Sequence, residues 1–410
     1  MRRNGSFRSA ALLAALLVAA GCATAATSPK PATSPASAGS VPTAPTAQTS
    51  APGRSQAAVG SDACTTQPET TPGGGSIRNC SVPTPSLAGN LLGDPATIDA
   101  VIWLPAGYEA GSERLPVVYF LAGYTATASQ VSLTLQQAIA LADVSSPPFI
   151  LVLVTGANAV QGGFYVNSPI TGRWEDAIVD DLVPYVDRAY RTLPAPGSRG
   201  IAGHSMGGFG ALHLAMRHPD VFGSVYALSP SLFDADGAEA LFGAPFGGID
   251  LMLDVEGQLA GLAPSERPAR LVELAAALGP AEFILAYGLA FAGDPARPAL
   301  MDYPFARSAG GVVRDDAVWK TWEGGIGDLD GKLTRYGQNL QALRAIGIDY
   351  GLADEYDWIP DASRALVAGL DAAGIGVTEA TFEGDHASML GSRMAGFMIP
   401  FFEASLDVGS

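Results

Sequence analysis

Cysteine, histidine and positive charge are scarce in this chain. Its 410 residues hold three cysteines and four histidines, and 23 lysines and arginines face 40 aspartates and glutamates, a formal charge of −17. With a calculated pI near 4.5 and nothing resembling a basic stripe, a nucleic-acid partner is not expected. The acidity speaks to solubility rather than to a specific partner. No histidine lies near Cys64 or Cys80, so a zinc site is not expected, and no metal or organic cofactor is implied. There is no internal repeat and no second long apolar run after the N-terminal one, which argues against a repeat array or a bundle of membrane helices.

The N-terminus reads as an address. Met1-Arg2-Arg3 and Arg8 precede the apolar run Ala10 to Ala20, which is too short to span a bilayer stably and is a secretory signal. Ala19-Ala20-Gly21-Cys22 looks like a lipobox, with Ala19 where leucine is commoner. On this reading 1–22 is a lipoprotein-type signal and Cys22 is the lipidation site. Ordinary cleavage after Ala23-Thr24-Ala25 is the alternative and would release the protein. The expected location is extracytoplasmic, as a cell-surface lipoprotein or a secreted protein, with membrane contact only through the anchor. Residues 23–63 are nearly all Ala, Thr, Ser, Pro and Gly. Such a segment buries too little apolar surface to offset its ordering entropy, so it is expected to be a disordered tether. In an oxidising compartment Cys64 and Cys80 are expected to pair as a disulfide. The remaining chain, 64–410, is long enough for one large α/β domain.

Gly203-His204-Ser205-Met206-Gly207-Gly208 is the most informative stretch. A short apolar strand precedes it, and Phe209 to Met216 reads as a helix. Strand, sharp turn, helix is the context of a nucleophile elbow, with Ser205 at its tip. Glycines two before and two after the serine leave room where strand and helix crowd together. Around it, apolar runs at Leu115–Leu121, Phe149–Val154, Phe222–Leu228 and Ile346–Gly351 read as buried strands, and Thr97–Pro105 as a half-exposed one. Helical patterns lie near Leu133–Leu141, Trp174–Tyr190 and Pro360–Ala373, and Val377–Phe382 is a last strand. This alternation predicts a mostly parallel sheet covered by helices on both faces. Residues 231–345 break the pattern and read as a cap-like helical insertion, with helices around Leu251–Leu262, Ala269–Leu278 and Leu329–Ala345.

A serine hydroxyl needs a base, and the base needs a group to orient it. Of the four histidines, His204 lies inside the elbow and is expected to point away from the hydroxyl. His213 and His218 sit on the helix leading out of the elbow. His386, just past the last strand, is the remaining candidate base. Asp354 fits the acid best, a few residues past the penultimate strand, with Asp357 and Glu355 as rivals. Asp349 belongs to the strand, and Asp385 is too close to His386 in sequence. The two oxyanion-hole N–H groups are expected from Met206 and from the turn after the central strand, where Tyr124 is chosen over its neighbours. Tyr124, Phe164, Tyr165 and Trp174 either line an aromatic pocket or belong to the core.

Tyr119 to Thr125, Tyr165-Val166-Asn167-Ser168, Gly172 to Asp176, Arg199 to Ala211 and His218 to Phe222 together resemble the putative esterase family. That family includes S-formylglutathione hydrolases, feruloyl-type esterases and mycolyltransferases. The resemblance implies the α/β-hydrolase fold and serine-dependent attack on an ester, with Ser205, Asp354 and His386 in the three roles. Ala126 stands where the S-formylglutathione hydrolases carry a cysteine, so their substrate is not expected here. The expectation is a secreted or lipid-anchored serine carboxylic-ester hydrolase acting on a small-molecule, lipid-linked or polysaccharide-linked ester. An acyltransferase of the same fold, similar to the mycolyltransferases, and a non-catalytic surface binding protein are the alternatives.

Overall fold

The computed structural model describes residues 63–64, 69–142, 147–234, 237–243, 246 and 248–409. The signal at 1–22, the Cys22 lipidation site and all but the last residue of the 23–63 tether lie outside the described residues. The strands are β1 (Glu69–Thr70), β2 (Ser76–Pro83), β3 (Thr97–Leu104), β4 (Val117–Leu121), β5 (Ile150–Val154), β6 (Asn167–Ser168), β7 (Gly172–Arg173), β8 (Arg199–His204), β9 (Ser224–Leu228), β10 (Phe305–Ser308), β11 (Gly311–Arg314), β12 (Ala345–Gly351) and β13 (Thr378–Phe382). Nine of them form one sheet in the order β1-β2-β3-β5-β4-β8-β9-β12-β13. Pairing is parallel from β5 to β13 and antiparallel on the β1 to β3 side. The fold is that of the α/β-hydrolases, as expected.

Strand periodicity explains the two-sided core. In β4, Val117, Tyr119 and Leu121 join one apolar cluster while Val118 and Phe120 join the other, because successive side chains leave opposite faces. All five are fully buried. One face is covered by Ala128–Ala142 and by the C-terminal helical stretch, the other by Met206–Arg217 and Trp358–Ala372.

The Trp174–Tyr190 pattern folds as a helix with a flaw. Ala177–Leu182 adopts the wider π geometry before Val183–Ala189. A second π stretch, Met394–Met398, precedes Ile399–Ser405. Each runs into a proline, Pro184 and Pro400, at the second position of the next helical segment. A proline lacks the N–H for the usual bond and crowds the carbonyl four residues back; widening the helix relieves both.

The insertion is largely helical, as expected, and also carries a hairpin. It holds helices Gly248–Ala260, Arg267–Ala275, Glu282–Phe291, Asp316–Gly324 and Leu329–Ala342, but also the antiparallel hairpin β10–β11. Its Leu259, Leu271, Ile284, Leu285, Trp322 and Leu340 join the same apolar cluster as one face of the sheet. Ser168 Oγ donates to the Leu289 carbonyl at 2.6 Å, and Asn339 Nδ2 to that of Met216 at 2.7 Å. The segment is part of the main core. Three helices were legible from apolar spacing. Glu282–Phe291 was not, because eight of its ten residues are buried and it shows no single apolar face.

Candidate active site

Ser205 sits between β8 and the helix Met206–Arg217, with φ 57° and ψ −120°. A non-glycine residue pays for such a conformation and holds it only where its surroundings enforce it. Here Ser205 N donates to the Leu228 carbonyl at 2.9 Å, and the Ser205 carbonyl accepts from Phe209 and Ser231 N–H, each at 3.0 Å. The flanking glycines behave as the motif requires. A Cβ at Gly203 would stand 2.2 Å from the Gly207 carbonyl oxygen, and one at Gly207 would stand 1.9 Å from that of Leu121. The Ser205 hydroxyl is within 3.2 Å of the Ser231 hydroxyl. It makes no hydrogen bond to a histidine among the described residues.

His386 follows β13 and is 7% exposed. Its Nδ1 donates to Asp354 Oδ2 at 2.8 Å. Asp354 lies just beyond β12, and its other oxygen accepts from the Tyr356 N–H at 3.0 Å. Of the acids weighed, Asp354 is the one whose carboxylate meets the imidazole. Its rival Glu355 instead accepts the His386 backbone N–H at 3.0 Å. The imidazole is bracketed by the His204 ring, with centroids 4.8 Å apart, and by the edge of Tyr356 at 5.1 Å. His204 is the residue next to Ser205 in the chain, so the two halves of the site meet there.

The turn after β4 closes the third side. The backbone N–H groups of Tyr124 and Met206 have no acceptor among the described residues. The turn is held from below by Tyr165, whose hydroxyl donates to the Ala122 carbonyl at 2.9 Å, and by Thr125 N–H on the Gln161 carbonyl at 3.2 Å. Tyr165, Phe164 and Trp174 are at most 3% exposed, so these three are core. Tyr124 alone of the four aromatics weighed is partly exposed, its ring 5.0 Å from Phe283 of the insertion.

His213 and His218 serve elsewhere. With Arg217 they hydrogen-bond the buried Glu175 at 3.1, 2.7 and 2.8 Å. Burial alone would raise the Glu175 carboxyl, but these bonds outweigh it and hold the group well below its ordinary 4.5. Cys64 and Cys80 are joined by a disulfide. Among the described residues no cluster of histidine, cysteine, aspartate and glutamate has a metal-site arrangement. Ser231 and Arg393 had no signal in the sequence, and Glu355 and Asp349 were legible only as candidate acids, since their contacts at the site join segments far apart in the chain.

Residues 95–273 match the putative esterase family. The esterase match covers the elbow and the turn after β4, while Asp354 and His386 lie beyond it. An endo-1,4-beta-xylanase/feruloyl esterase of Xylanibacter ruminicola (strain ATCC 19189 / DSM 19721 / CIP 105475 / JCM 8958 / 23) is 30% identical over 133 residues, which is 30% of this chain and 18% of that protein. The chain therefore corresponds to a minor part of that relative. Among solved structures, a ferulic acid esterase aligns with TM-score 0.51 at 17% identity, covering 81% of this chain and 100% of its own. An S-formylglutathione hydrolase from Agrobacterium tumefaciens aligns at 0.48 and 16%, covering 83% and 99%. The ferulic acid esterase alignment supports the fold.

Proposed function

We propose that this protein is a serine ester hydrolase working through an acyl-enzyme. The observation that supports the reading is a serine held at positive φ whose chain neighbour His204 packs against the His386 ring of a histidine–aspartate pair from the far end of the chain. On this reading the Ser205 hydroxyl leaves Ser231 and hydrogen-bonds His386 Nε2 in the substrate complex; such bonds are often unmade before substrate arrives. Ser205 Oγ attacks the ester carbonyl as His386 Nε2 takes its proton. Asp354 holds the Nδ1–H tautomer and stabilises the imidazolium. The N–H groups of Tyr124 and Met206 receive the oxyanion. The ester C–O bond then breaks and the proton passes to the leaving alcohol. Water, activated by the same histidine, hydrolyses the acyl-enzyme and restores Ser205.

Phe283 and Tyr356 stand at the site beside Tyr124 and His386 and form an aromatic border suited to an apolar acyl or alcohol group. The sequence of residues 1–22 supports export, with Cys22 as lipid anchor. The feruloyl esterase relatives are compatible with an extracytoplasmic ester bound to a larger polymer.

The test is fluorophosphonate labelling together with hydrolysis of short and long p-nitrophenyl esters, on wild type and Ser205→Ala. Labelling and turnover that both vanish in the variant are expected. Labelling with no turnover points to acyl transfer, checked by adding a sugar or alcohol acceptor. A folded wild type that does not label overturns the catalytic reading and leaves a binding protein.

A further inference from the structure

The residue before the nucleophile is free to vary in the Gly-x-Ser-x-Gly pattern, so nothing in the motif calls for a histidine at 204. The structure gives that ring specific work. His204 is the last residue of β8 and is 8% exposed. Its Nε2 stands 2.9 Å from the His386 carbonyl oxygen. A carbonyl only accepts, so Nε2 carries the proton. On the other side of the ring, a Cβ at Gly123 in the turn after β4 would lie 3.4 Å from His204 Nδ1. One imidazole thus lies beside the turn after β4, adjoins the nucleophile and hydrogen-bonds the loop of the base.

A second donor reaches the same oxygen. Arg393 Nη1 donates to the His386 carbonyl at 3.3 Å. Arg393 is 1% exposed and pairs with Asp349 of β12, itself fully buried. Its Nη2 also donates to Ser229 Oγ at 2.9 Å, and Tyr226 donates to the other Asp349 oxygen at 3.1 Å. A buried ion pair is weak evidence of stabilisation. A planar guanidinium is well suited to holding several acceptors at fixed angles, and here it ties β12 to the base loop. With Glu355 accepting the His386 N–H at 3.0 Å, the His386 backbone is held at both its N–H and its C=O.

We propose that His204 is a positioning residue: as a neutral Nε2–H donor, with Arg393, it fixes the His386 carbonyl and so sets where the His386 ring stands relative to Ser205. The proposal rests on the reading of Ser205 and His386 as nucleophile and base. Burial first, then His386 and Arg393, hold the His204 imidazole well below its ordinary 6.5, so it is a neutral donor at neutral pH.

The experiment compares His204→Phe, which keeps a ring but loses the donor, with His204→Gln, whose side-chain amide nitrogen takes the place of Nε2. Misplacement of a reacting group by about 1 Å costs roughly 100-fold; His204→Phe is expected to lose about 10- to 100-fold in kcat and in phosphonate labelling rate, with KM within about twofold. His204→Gln should recover most of that loss. A folded Phe variant with wild-type kcat, or a folded Gln variant as slow as Phe, overturns the proposal. If the Phe variant does not fold, imidazole 15N shifts of the wild type decide. A neutral, Nε2-protonated His204 at neutral pH is required, and an Nδ1-protonated or cationic ring overturns it. A wild type inert to phosphonates and esters fails the hydrolase reading instead, and the tautomer remains measurable.

Discussion

His386, Asp354 and Ser205 differ in how far the chain alone exposes them. Ser205 is legible because an elbow needs glycines where strand and helix collide. His386 follows by elimination, histidine being so rare here. Asp354 had close rivals, and the geometry separates them by giving one carboxylate the ring and the next the backbone. That division of labour is testable. Asp354→Asn offers the imidazole the wrong partner and should lower kcat by about 10³- to 10⁴-fold, whereas Glu355→Ala should cost about tenfold through a looser loop; both are read with p-nitrophenyl acetate. Glu175 carries a different prediction. Its folded-state pKa is lowered from its ordinary 4.5, so its contribution to stability is complete above that value and is lost as pH falls below it. The melting-temperature gap between wild type and Glu175→Gln should be widest near neutral pH and narrow steadily below about pH 4.

At the scale of elements, the elbow is a packing problem solved by missing side chains. A methyl at Gly207 has nowhere to go, because the Leu121 carbonyl belongs to the central strand and cannot yield. Gly207→Ala should therefore destabilise by about 3 kcal/mol or more, beyond ordinary overpacking, or abolish soluble expression; a melting curve within a degree of wild type would contradict this. The two π stretches were not readable as such. Apolar spacing reports that a helix exists, but not that Pro184 or Pro400 will widen it, since the relief depends on what the carbonyls four residues back can do.

For the whole molecule, the disulfide and the insertion matter most. Cys64 and Cys80 are 16 residues apart, and closing a loop of that length is worth about 3 kcal/mol through the unfolded chain. Cys80→Ser should lower the melting midpoint, and dithiothreitol should lower that of wild type but not of the variant. Equal sensitivity of both would contradict it. Among the described residues no helix is long and apolar enough to cross a membrane. The insertion shares the main core, so its helices support the site from behind while Phe283 reaches its border.

Periodicity and composition suffice for whatever depends on local pattern: the alternating strands and helices, the elbow, the two-faced core, and the pairing of the only cysteines beyond the signal. These features follow from hydrophobic spacing and steric rules acting over a few residues. The partner of His386, the clamp on its carbonyl, the hydroxyl pair Ser205–Ser231 and the merging of the insertion with the core arise from contacts between segments far apart in the chain. The Arg393 and Asp349 that stand behind the base are separated by 44 residues. No local pattern encodes such a contact; it exists because the sheet brings the ends of β8, β9, β12 and β13 to one edge.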